Sequence, residues 1–122
     1  MNYTVFQIKL DAETISQVNT LGREEAISRF PVYKAYFETM FEGSQGFQSW
    51  MSEHFQPVCE IDADNLDQAF EIGNIGPEHK IVRHRRMHSV SVGDIIRCNQ
   101  TNRCYMVDGF GFTHLLDFVP VE

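Results

Sequence analysis

The sequence predicts an α+β domain: an antiparallel or mixed sheet with helices against it and a β-rich last third. Helical spacing of apolar residues is confined to residues 11–76, two alternating apolar runs begin at Tyr3 and Phe55, and short alternating runs separated by glycine turns fill residues 80–119. That distribution does not repeat along the chain, so it fits one mixed domain better than a βαβ series.

The first run, Tyr3 to Leu10, is rich in β-formers, and its apolar residues fall on both faces. A strand buried on both sides is expected. Asp11 then reads as an N-cap, with Ile15, Val18 and Leu21 at helical spacing before the stop signal Gly22. Arg23 to Arg29 gives a further turn or two of helix. Pro31 suits a first helical turn, and the following Val32, Tyr33, Tyr36, Phe37, Met40 and Phe41 form a stripe expected to enter the core. A ligand cage of Tyr33, Tyr36, Phe37 and Trp50 is the competing reading.

Gly43-Ser44-Gln45-Gly46 breaks this pattern before a third helical segment over Phe47 to His54. Phe55 to Ala63 alternates as a strand. Asp64 or Asn65 caps a helix that buries Leu66, Ala69, Phe70 and Ile72 and ends in Gly73-Asn74-Ile75-Gly76-Pro77. Strands are expected over Lys80 to Arg83, Val90 to Cys98, Cys104 to Asp108 and Phe112 to Val119, with bends at Gly93 and at Gly109 to Gly111. The helices of residues 11–54 are expected to cover the resulting sheet.

At 122 residues and 43% hydrophobic content the chain suits a single domain over 1–122. The start lacks the basic end and unbroken apolar run of a signal peptide, and no stretch reaches the roughly 18 apolar residues of a membrane span. A cytoplasmic protein without membrane attachment is the expectation. Cys59, Cys98 and Cys104 form no C-x-x-C pair, which favours reduced thiols and no zinc module. Cys98 and Cys104 flank the loop Asn99 to Asn102, so a hairpin that opposed them would permit a bridge in an oxidising compartment.

The net charge of −7 is uneven. Residues 79–103 contain six of the ten Lys/Arg and only Asp94 among the acids, which makes them +5 and leaves −12 on the remainder. An acidic protein of this kind is not a general nucleic-acid binder, though one local anion contact is open to it.

Met87-His88-Ser89-Val90-Ser91-Val92-Gly93-Asp94-Ile95-Ile96 precedes a hairpin, and Cys104-Tyr105-Met106-Val107-Asp108-Gly109-Phe110-Gly111-Phe112 follows it. This arrangement, running from about His84 to Phe118, resembles the YodL-like family. It departs at Gly93, where the family commonly has a small polar residue, at Gly109, where it commonly has Ser, and in the two hairpin cysteines. The resemblance implies an accessory protein of phages, plasmids or other mobile elements, sometimes near anti-restriction functions. It brings no catalytic residues with it.

Among candidate sites, Arg83, His84, Arg85, Arg86 and His88 form a run able to present several donors to phosphate or to an acidic partner. The same run also suits a solvated loop or edge strand whose charges oppose aggregation. Asp94 and Asp108 stand beside glycines at strand ends, where carboxylates commonly accept turn N–H groups. If Asp94, Asp108, His88 and His114 met in one cleft, they would instead form a ligand or acid–base site, with Cys104 or Ser89 as a nucleophile. His84 and His88 lack the further ligands of a metal motif. No phosphate loop, dinucleotide fingerprint or nucleophile elbow occurs, so neither a cofactor nor a catalytic residue is expected. The leading expectation is a non-catalytic module that binds a host or phage protein through 83–88 and the adjacent hairpin. The alternative is a small-molecule or catalytic pocket.

Overall fold

The computed structural model describes residues 1–120 and has an α+β fold. β1 (Asn2–Ile8) is followed by α1 (Ala12–Leu21), α2 (Arg23–Arg29) and α3 (Pro31–Glu42). Two 3₁₀ turns, Gly43–Gly46 and Ser49–His54, lead into β2 (Phe55–Asp62), and α4 (Leu66–Ile75) follows it. β3 (Ile81–Arg83), β4 (Ile95–Cys98), β5 (Arg103–Val107) and β6 (Phe112–Leu115) complete a six-stranded sheet in the order β3-β2-β1-β4-β5-β6. Every neighbouring pair is antiparallel.

β1 lies inside the sheet and is buried without interruption from Tyr3 to Ile8, as its two-sided apolar pattern requires. On one face, Tyr3 and Val5 join Val58, Ile61 and Ile96 beneath Ala69 and Ile72 of α4. On the other, Phe6 and Ile8 join Phe55, Ile95 and Met106 beneath Ala35 of α3. Burying these large side chains, at roughly 1.5–3 kcal/mol each, is the main force holding the helices to the sheet.

Local chemistry sets the helix ends. The Asp11 carboxylate accepts the Thr14 N–H at 2.7 Å, and Asn65 does the same for Gln68 at 2.8 Å. Pro31 opens α3, where its missing N–H has no intrahelical partner to lose.

Several expectations are corrected. The helices of residues 11–54 do not all cover the sheet: α1 has no buried residue, and α2 buries only Ala26, because α3 occupies the sheet face and the first two helices flank it. The aromatic stripe of α3 is only partly core. Tyr33, Ala35 and Thr39 are its buried residues, whereas Phe41 is 73% exposed and stacks on Phe37, with ring centroids 5.4 Å apart. The segment before β2 is a 3₁₀ turn from Ser49, not a helix from Phe47. Phe47 instead meets Phe55 and Phe118 edge-on, with centroid separations of 6.2 Å to each.

The last strand stops at Leu115 rather than Val119, because the chain leaves the sheet edge to insert Phe118 against Phe6 and Phe55. Nor is Val90–Cys98 one strand: only Ile95–Cys98 joins the ladder. Residues 84–94 bond to the backbone at their two ends, at Val58 and Val107, and are held between them by side-chain amides. Gln7 donates to the His88 carbonyl at 3.0 Å and accepts the His88 N–H at 3.3 Å. Asn74 likewise donates to the Val90 carbonyl at 3.0 Å and accepts its N–H at 2.6 Å. Cys98 opposes Arg103, while Cys104 opposes Arg97. This one-residue offset sends the two thiols to opposite faces of the sheet, so the hairpin does not oppose them for a bridge. No helix among the described residues is long and apolar enough to cross a membrane.

Candidate functional site

Two regions gather candidate side chains: a cleft beside Asp94 and the corner between β5 and β6. The cleft lies between α3 and the 88–94 loop, at the end of the sheet where β1 finishes and β4 begins. It has a volume of about 360 Å³ and is lined by Tyr36, Thr39 and Met40 from α3 and by His88, Ser91 and Asp94 from the loop.

Gly93 sets how closely those walls approach. Its φ of 95° lies in the left-handed region, and a Cβ there would stand 2.8 Å from the Thr39 carbonyl and 2.9 Å from the Met40 nitrogen. Glycine at this position is therefore built into the contact with α3.

Asp94 is only 5% exposed. Its Oδ2 accepts the Ser91 N–H at 2.9 Å and the Gln7 amide at 3.0 Å, whereas Oδ1 has no hydrogen-bond partner among the described residues. Burial drives its pKa up to about 6, against the lowering influence of the Ser91 N–H, the His88 ring and the Gln7 amide. His88 Nδ1 is 3.9 Å from that carboxylate and 2.8 Å from the Ser89 carbonyl. The carbonyl can only accept, so Nδ1 carries a proton. His88 therefore meets the Ser89 backbone rather than its hydroxyl, and this contact does not create a nucleophile.

The four residues of the alternative pocket do not converge. His88 and Asp94 share the cleft, but Asp108 braces the β5–β6 corner and His114 stands exposed on β6, where its ring lies 5.2 Å from that of Tyr105. Cys104 is buried, with its thiol pushed up by desolvation, on the sheet face opposite Cys98. The described residues contain no group of three or more His, Cys, Asp or Glu side chains placed to hold a metal ion.

Asp108 performs a structural task. Its Oδ1 accepts the Ser44 N–H at 2.7 Å, and Oδ2 accepts the hydroxyls of Ser44, at 2.8 Å, and Thr113. Burial alone would raise its pKa, but these donors hold the carboxyl below the usual range. A Cβ on Gly43 would stand only 2.1 Å from Asp108 Oδ1, so the bare glycine admits the carboxylate. The turn beyond this brace carries Phe110, which is 99% exposed. Leu116, 88% exposed, stands at the other end of the sheet-edge strand β6.

The basic run is largely committed to internal contacts. Arg83 grips Glu78 through two bonds of 2.6 and 2.9 Å, His84 meets Glu60 at 2.9 Å, and Arg85 donates to the Pro57 carbonyl at 2.6 Å. Arg86 is exposed and has no such partner among the described residues. It borders a small, largely apolar depression with Lys9 and Met87.

The sequence pointed to Asp94, Asp108 and His88, and its aromatic cage included Tyr36, which lines the cleft without Tyr33, Phe37 or Trp50, but it missed Gln7 and Phe110. Gln7 carried a usable signal as a polar side chain within an otherwise β-forming, two-sided apolar run. Phe110 carried one as an aromatic residue between two glycines. Comparison of the chain with family models, curated proteins and solved structures finds no match.

Proposed function

We propose that this chain is a non-catalytic protein-binding module of the accessory type that the resemblance over 84–118 implies, and that it engages its partner along β6 with Phe110 as the anchor. The observation that carries this reading is Phe110 itself, 99% exposed on a turn braced through Asp108 to Ser44 and Thr113. A large ring held in water gains by burial against a partner, and a braced turn loses little further freedom on binding. Such aromatic anchors dominate protein interfaces. β6 adds the unpaired backbone groups of an edge strand, and Leu116 and the 67%-exposed Val119 extend the apolar surface.

Arg83, His84 and Arg85, at the opposite sheet edge, have intramolecular partners, which argues against that basic run as a phosphate site. The test is affinity capture from bacterial lysate using the tagged chain, a Phe110→Ser/Leu116→Ser variant and an Arg86→Ala variant. A stoichiometric protein retained by Arg86→Ala and lost by the double variant is expected. Equal capture by the double variant, or nucleic acid as the bound species, overturns the reading.

A further inference from the structure

The cleft beside Asp94 is separate from the β6 surface and has the chemistry of a different ligand. Asp94 places a carboxylate, 5% exposed, against a cavity of about 360 Å³, near the lower end of the roughly 300–1,000 Å³ typical of small-molecule sites. A buried carboxylate is ordinarily matched by a cation or by hydrogen bonds to both oxygens. Here both protein donors converge on Oδ2, while Oδ1 takes no hydrogen bond from the described residues and is not sealed from solvent, which leaves it open to a partner from outside the fold. No Lys or Arg among the described residues lines the cavity, and His88 Nδ1 stands 3.9 Å from Oδ2.

The remaining wall is suited to an organic group. Tyr36 offers a ring, Met40 and Ile8 offer apolar surface, and Ser91 contributes a polar edge. We propose that this cleft binds a small organic cation, an ammonium, amidinium or guanidinium on a short alkyl or aryl body, with its charge on Asp94 Oδ1 and its body against Tyr36, Met40 and Ile8. The aromatic face favours a cation over a neutral isostere, and the carboxylate disfavours an anion. Occupation would supply the partner that the fold leaves off Oδ1. It would also favour the charged form of a carboxyl that burial otherwise keeps protonated up to pH of about 6.

The test follows backbone amide signals of Ile8, Thr39 and Gly93 by NMR at pH 7.5 during titration with benzamidine, benzylamine, benzyl alcohol and benzoate. Saturable shifts at millimolar or lower concentration are expected for at least one of the two cations, with little response to the alcohol or the anion. Asp94→Asn should weaken cation binding at least tenfold. Met40→Arg provides a second control that leaves Asp94 intact, because a guanidinium tethered at the cleft mouth would occupy the carboxylate in the ligand's place. If Asp94→Asn does not fold, Met40→Arg decides the matter. No saturable cation binding, equal binding of benzyl alcohol, or undiminished cation binding in the folded variants overturns the proposal.

Discussion

The side-chain amide of Gln7 joins the His88 carbonyl and the Asp94 carboxylate, donating to each at 3.0 Å, while its oxygen receives the His88 N–H at 3.3 Å. One buried residue of β1 thereby holds both ends of the 88–94 loop. Gln7→Leu keeps similar volume but removes all three bonds, leaving polar groups of the loop to find water or remain unpaired. A loss of about 2–4 kcal/mol is expected in denaturant unfolding. The loop should also loosen locally, with faster hydrogen exchange at His88 than at the core strand residue Ile96. Unchanged stability and exchange would show that Gln7 is not the latch.

Asp94 gives stability a definite dependence on pH. Its folded pKa is about 6, raised from an ordinary 3.8, so the folded state holds this proton more tightly than the unfolded chain does. The resulting contribution is complete below pH 3.8 and lost as pH rises through about 6. Asp94→Asn imitates the neutral form and retains an acceptor for Ser91 and Gln7. The variant should be more stable than the parent at pH 7.5, by up to about 3 kcal/mol, and the gain should shrink toward zero near pH 4. Unfolding curves measured across this range provide the check, and a gain independent of pH would reject the assignment.

Gly93→Ala tests the joint between the loop and α3. A φ of 95° disfavours any side chain, and the added carbon would stand 2.8 Å from helix backbone rather than from a movable side-chain tip. Destabilisation of about 2–4 kcal/mol is expected. Gly109→Ala is the contrasting control, since a Cβ there meets nothing within 4 Å, and its cost should remain below about 1 kcal/mol. Thermal melts of the two variants compare them directly.

The ease of reading each element followed how local its cause was. Asp11, Gly22, Pro31 and Asn65 act within one helical turn, so the helix boundaries they set were visible in the sequence. Residues 84–94 depend on amides from Gln7 and Asn74, far away along the chain, and their alternation therefore imitated a strand. Phe118 had the same effect at the other end, since its burial against Phe6 and Phe55 takes the chain away from β6. For the candidate cleft, Asp94 was legible as a turn carboxylate. Its proximity to Tyr36 required the close approach of α3, a tertiary contact without a local signature.

The three thiols should differ in reactivity although all are buried. Cys59 is fully enclosed, and burial pushes its pKa up to about 11, while desolvation also raises that of Cys104. For Cys98, burial acts upward too, but the hydroxyl and N–H of Thr101, the N–H of Gln100 and the N-terminal ammonium outweigh it and hold the thiol below its ordinary range. Cys98 also borders a surface depression with Thr101, Arg103 and Tyr105. Because the thiolate is the reacting species, iodoacetamide at pH 7.5 should label Cys98 first, several-fold faster than Cys104 and with Cys59 slowest. Peptide mapping by mass spectrometry reads this order. Mild oxidation of the folded protein should leave Cys98 and Cys104 unlinked within one chain, because the β4–β5 register directs them to opposite faces. A rapid intramolecular Cys98–Cys104 bridge would contradict that register.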